Sequence, residues 1–169
     1  MRKKFLIIFI LISILILPIC YAFSDTENHW AKSDIDSLYL NKIVSGYQDD
    51  TFKPNNKMTR AEFVTIINRM LGNTLQNNRY IPDINVKNWY FVEIRKAIES
   101  GLIKGDSNGY VKPNDYITRQ EAMVILYRAF LSPNTAISTK EIKDIDKLSS
   151  WAREAVNSFL VYGYLNGYK

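Results

Sequence analysis

From residue 23 onward, apolar positions recur at helical spacing in three runs: Ile35, Leu38 and Tyr39; Ile94, Ala97 and Ile98; Val156, Phe159 and Leu160. Residues three and four apart share one face of a helix, so each run predicts an amphipathic helix. Two more runs, Phe63, Ile66, Ile67 and Met70, then Ala122, Ile125, Leu126 and Ala129, predict a second helix in the first two units, with those residues as its buried stripe. Between the helices an apolar pair (Ile43-Val44, Leu102-Ile103, Tyr164-Leu165) leads to a turn, strong at Asn108-Gly109 and weaker at Asp49-Asp50. Phe52 and Val111 then return to the core, and Pro54 and Pro113 stiffen the approach to the second helix. Polar connectors at 72–80 and 131–141 read as surface loops.

The polar positions repeat as faithfully as the apolar ones. Gly46 to Glu62 is matched fifty-nine residues later by Gly105 to Glu121, with the spacing of glycine, proline and arginine preserved, and a third copy begins at Gly167 and meets the C-terminus at Lys169. Asp25, Asp83 and Asp144 precede Trp30, Trp89 and Trp151, and each tryptophan stands sixteen residues before its glycine. Such internal spacing marks a repeat architecture in which neighbouring units share one core. The expected segments are 1–22 as a leader, 23–80 and 81–140 as repeats one and two, and 141–169 as a partial third repeat. The third copy lacks the turn, the proline and the second helix of its siblings.

Thr59 with Glu62, and Thr118 with Glu121, carry the capping-box spacing just ahead of an apolar run, so a helix starts at each. Arg60 and Arg119 become first helical residues, where a cation opposes the positive end of the macrodipole. An anion nearby would reverse that sign, and an arginine fork at a helix N-terminus suits a carboxylate or phosphate. On that reading, replacing either arginine costs binding and leaves stability nearly unchanged. The competing reading has each arginine merely paired with a neighbouring Asp or Glu. Asn88 and Ser150 are expected N-caps of the first helices; Gly101, Gly163 and, in repeat one, Asn41 are expected left-handed C-terminal residues. A tryptophan in the first turn of a helix is more often a core anchor than a ligand platform.

Arg2, Lys3 and Lys4, the apolar run from Phe5 to Leu17, and small residues at Cys20 and Ala22 form the pattern of a secretory signal cut after Ala22. Cleavage would remove the one cysteine, leave 147 residues and lower the formal charge from +5 to +2. A charge of +2 with interspersed signs does not call for nucleic acid.

Phe-x-Asp, Trp-Ala, Gly-Tyr, Phe-x-Pro and Thr-Arg-Ala-Glu, in that order and spacing, resemble the S-layer homology domain over residues 23–169. The resemblance implies a mainly α fold of helix-loop-helix repeats packed as a pseudo-threefold trimer, with short turns or minimal β-structure and grooves between units. It implies a secreted cell-wall or S-layer protein, associated with peptidoglycan, that binds secondary cell-wall polysaccharide bearing acidic pyruvyl ketals. Arg60 and Arg119 would receive the carboxylate, Gly46 and Gly105 would admit the sugar to backbone N–H groups, and Tyr47, Trp30, Trp89 or Trp151 would offer a ring face. Asp50 and Lys42 stand where the family usually has Gly, and the partial third repeat leaves two arginine sites.

Other chemistries find little support. Glu62 and Glu121 are accounted for as caps rather than as a glycosidase pair, His29 has no second ligand for a metal, and Asp106-Ser107-Asn108-Gly109 reads as a turn rather than a calcium loop. No enzymatic activity, cofactor or metal is expected. The rival to wall binding is a protein-binding scaffold, or self-association through the incomplete third repeat; a truncated product with weak wall binding is the third reading.

Overall fold

The computed structural model describes residues 23–75, 79–131, 136 and 145–165. The expected leader, Asp144 and Gly167 lie outside them. The described residues are mainly helical, with α1 (Lys32–Leu40), α2 (Arg60–Leu71), α3 (Phe91–Glu99), α4 (Arg119–Phe130) and α5 (Arg153–Val161), and 3-10 turns at Ile145–Lys147 and Ser150–Ala152. Their one β contact is an isolated antiparallel bridge between Thr59 and Tyr116. No described helix is long and apolar enough to cross a membrane. The chain divides into two compact units, Met1–Pro54 and Asn55–Lys169, so the division falls inside the first sequence repeat.

In the first unit Phe23, Ile35 and Val44 are buried, and the Phe23 ring meets Tyr39 edge-on at 5.0 Å. Asp25 explains why an aspartate opens the repeat: its carboxylate accepts the backbone N–H groups of Phe52 (2.8 Å) and Lys53 (2.7 Å), tying the loop after the turn to the repeat's start. Asp83 does the same in the second unit, accepting from Val111 (3.0 Å) and Lys112 (2.6 Å). Both clips hold a lysine at positive φ, 56° at Lys53 and 51° at Lys112.

Helix ends correct three expectations. The left-handed residue after α1 is Lys42 (φ 60°), not Asn41, which stays near −81°. Lys42 thus takes the conformation of Gly101 (φ 75°) and Gly163 (φ 76°), with Ile43 N–H reaching back to the Leu38 carbonyl at 2.9 Å as a Schellman closure requires. Asn88 does not cap α3; its side chain accepts from Asn85 N–H at 2.7 Å and closes the loop before the helix. Ser150 lies in the 3-10 turn ahead of α5.

In the second unit the packing pairs straddle the sequence repeats. α2 packs on α3, α4 on α5, and the two long helices α2 and α4 touch. The main core joins Ala61, Val64 and Ile67 of α2 to Ile94 and Ala97 of α3, with Ile81, Tyr90, Leu102, Ile103, Val111 and Ile125; Val124, Ala152 and Ala155 form a smaller one. The buried stripe of α2 is rotated from expectation: Ile67 is inside, Phe63 and Ile66 are partly buried, and Met70 is 45% exposed. The cause is contact with both α3 and α4, which draws in Thr65 and Asn68. Polar groups survive there because they are bonded: Thr65 Oγ1 donates to the Ala61 carbonyl at 2.7 Å, and Asn68 Nδ2 to the Glu93 carbonyl at 2.8 Å.

Candidate ligand-binding groove

Both capping boxes form. Glu62 N–H donates to Thr59 Oγ1 (3.2 Å) while Thr59 N–H donates to Glu62 Oε2 (2.7 Å); Glu121 and Thr118 repeat this at 3.3 and 2.9 Å. The start of α2 is then filled by repeat two. Arg60 N–H donates to the Asp115 carbonyl and Ala61 N–H to the Pro113 carbonyl, both at 2.9 Å, and Ile117 N–H reaches the Met58 carbonyl at 2.9 Å. The first-turn donors that an anion would use are occupied by this strap.

The Arg60 side chain is engaged as well. Nε donates to the Val111 carbonyl at 2.9 Å and Nη1 to Glu121 Oε1 at 2.7 Å, in a pair whose side chains are 14% and 28% exposed. Glu121 therefore serves two repeats at once, one oxygen capping α4 and the other neutralising the cation at the head of α2. This offsets the macrodipole penalty that made Arg60 look anomalous. Arg119 occupies the same position on α4 and is exposed.

A groove of about 670 Å³ opens beside this junction, lined among others by Arg60, Lys104, Asp106, Lys112, Arg128 and Trp151. Of the residues singled out from sequence it gathers Arg60, Gly105, Thr118, Glu121 and Trp151; Arg119 and Trp89 are not in its lining, and Gly46, Tyr47 and Trp30 belong to the other unit. The tryptophans are not core anchors: Trp30, Trp89 and Trp151 are 87%, 63% and 54% exposed, because each stands in the turn before its helix rather than on the packed face. Tyr47 is exposed, with Lys53 Nζ 4.3 Å from its ring centroid. The glycines have reasons inside the fold. A Cβ on Gly46 would strike the Phe23 ring at 2.0 Å, and one on Gly105 would lie 2.7 Å from the Gly109 backbone.

The groove's charges divide into satisfied and unsatisfied. Asp106 accepts N–H groups from Asn108 (2.9 Å) and Tyr110 (3.1 Å) and lies 3.6 Å from Lys112; the Asn108 N–H, foremost, holds its carboxyl below the usual range against the opposing effect of burial. These bonds close the Asp106–Gly109 turn. Arg128 donates to the Leu102 carbonyl at 3.0 Å, and burial lowers its pKa. Lys104 has no ion-pair partner among the described residues. Lys104 and Arg128 are not among the residues expected from sequence; the available signals are that Lys104 directly precedes the repeat glycine and that Arg128 repeats Arg69 at the fifty-nine-residue offset. A groove with an unpaired ammonium, a guanidinium and a half-exposed indole is equipped to hold an acidic, partly apolar ligand, such as an acidic sugar.

Helical repeats clipped by aspartates and capped by Thr-Glu boxes, with a cationic groove between helices, define a binding module of the repeat class. The model of the S-layer homology domain matches residues 22–64 and 83–123, and the chain belongs to that family through these two repeats. An amylopullulanase of Thermoanaerobacterium thermosulfurigenes is 34% identical over 86% of this chain but 8% of its own length. An endoglucanase of a Bacillus species is 31% identical over 87% of the chain and 16% of its own length. A cellulosome-anchoring protein of Acetivibrio thermocellus is 30% identical over 75% of the chain and 30% of its own length. The chain thus spans less than a third of each of these relatives.

Proposed function

We propose that this chain is an exported, non-catalytic module that holds to the bacterial envelope by binding an acidic secondary cell-wall polysaccharide, pyruvylated by expectation, in the groove of the second unit. The observation that carries the reading is the groove's charge balance. Arg60, Lys104, Lys112 and Arg128 face Asp106, Asp115 and Glu121, and two of those acids are already engaged by the protein's own cations. The family match and the anchoring named in one relative support the same direction. Arg60 takes part chiefly by shaping the groove, since Glu121 holds its guanidinium. Lys104 and Arg128 carry the charge offered to a carboxylate, and Trp151 offers a ring face. Arg119, Trp30, Trp89, Gly46 and Tyr47 remain proposed contacts outside this groove.

Purified cell-wall sacculi, with and without their polysaccharide, test the proposal in a sedimentation assay with the wild type and with Lys104→Gln, Arg128→Gln and Trp151→Ala. Retention that requires the polysaccharide and falls in all three variants is expected. Equal retention on stripped sacculi would turn the reading toward a protein-binding scaffold.

A further inference from the structure

The backbone from Ile103 to Asp106 is a wall between two cavities. On one side lies the groove just described. On the other lies a cavity of about 520 Å³, lined among others by Arg79, Tyr80, Pro82, Lys104, Asn108 and Gly109. Lys104 lines both cavities, and so do Ile103, Gly105 and Asp106. The second cavity is equipped like the first. Arg79 and Lys104 have no ion-pair partner among the described residues. Among the described residues that line it the one acid is Asp106, whose carboxylate is engaged by backbone N–H groups and by Lys112. Tyr80 is 82% exposed and Pro82 is exposed beside it, giving apolar ring faces for the C–H face of a sugar. A ring of this kind with unpaired cations, separated by one strip of chain from a similar constellation, suits neighbouring units of one polymer better than two separate small molecules.

We propose that this cavity is a second subsite for the same polymer, taking an acidic saccharide unit near the one in the groove, with Lys104 placed to serve both. The assignment rests on the glycan-binding reading of the groove. Two subsites on one ligand make the second contact intramolecular, so length itself strengthens binding.

The test is calorimetric titration of the full chain with two probes: a single monosaccharide bearing a pyruvyl ketal, and purified wall-polysaccharide fragments several repeats long. Wild-type protein is expected to bind the long fragment at least about fivefold more tightly than the single sugar. Arg79→Gln and Tyr80→Ala, both surface changes, should remove most of that advantage and leave the affinity of the single sugar for the groove unchanged, whereas Trp151→Ala should weaken both probes. A length advantage that survives both Arg79→Gln and Tyr80→Ala, or no advantage in wild type, overturns the second subsite while leaving the groove standing. Failure of wild type to bind either probe overturns the groove reading and this subsite with it. Thermal melts of the variants, expected to match wild type, separate lost contacts from lost folding.

Discussion

Arg60 and Glu121, sixty-one positions apart, meet at 2.7 Å, and the same glutamate caps the helix that begins at Arg119. One carboxylate therefore joins the heads of α2 and α4. Removing either partner should destabilise the second unit, Arg60→Ala by roughly 1.5–3 kcal/mol and Glu121→Ala by more, because the latter also forfeits a cap of about 1 kcal/mol. A double-mutant cycle in urea is expected to give a coupling of about 1–2 kcal/mol. Additive effects would mean that the pair is not an interlock. This reverses the expectation from sequence that loss of Arg60 leaves stability untouched.

Trp30→Ala and Trp151→Ala should each lower stability by less than about 1 kcal/mol, well short of the 3–5 kcal/mol of a core tryptophan. Chemical unfolding checks this directly. Intrinsic emission of the folded protein should also be that of water-exposed indole.

Lys42 adopts φ 60° at the position where repeat two has Gly101. A non-glycine residue pays about 1–2 kcal/mol there, against the roughly 0.5–1 kcal/mol that glycine costs through the unfolded chain. Lys42→Gly should therefore raise stability by about 0.5 kcal/mol. Gly105→Ala should do the opposite, since its Cβ meets backbone at 2.7 Å that cannot swing aside. Melting temperatures of the two variants should move in opposite directions.

The Asp25 carboxyl is held below the usual carboxylate range, first by the Phe52 N–H, with burial opposing and the Lys53 N–H adding. The unfolded chain thus binds this proton more readily than the folded one. The clip's contribution is complete above the unfolded value of about 3.9 and fades as pH falls through the lower folded value. The stability difference between wild type and Asp25→Asn should accordingly be constant near neutrality and shrink below about pH 4. Unfolding curves from pH 7 to pH 2 read it out.

What the sequence made legible was whatever is decided locally. Thr59 with Glu62 and Thr118 with Glu121 announce helix starts through a three-residue spacing that cannot serve much else, and Gly101 and Gly163 announce helix ends. Long-range choices stayed hidden. Nothing within repeat one shows that the donors of Arg60 and Ala61 will be met by carbonyls of residues 115 and 113, or that Met70 will face out because α2 has two neighbours. Asp25 and Asp83 were visible as markers, but their task as clips depends on a loop folding back from twenty-seven or more residues away. In the groove, Trp151 and Gly105 stood out because they recur. Lys104 has no counterpart in repeat one, where Ser45 stands; Arg128 does recur, as Arg69 fifty-nine residues earlier, but only the fold shows that Lys104 and Arg128 share a cavity.

The repeat of the sequence and the repeat of the packing are out of step, because α2 shares its core with α3 and α4 with α5. A designer who treats residues 81–140 as a portable cassette would carry away Ile94 and Ala97 without Ala61, Val64 and Ile67, the surfaces that shelter them. Transplantation, shuffling or lengthening of such arrays should instead break the chain near Asn55, so that each second helix travels with the first helix that follows it.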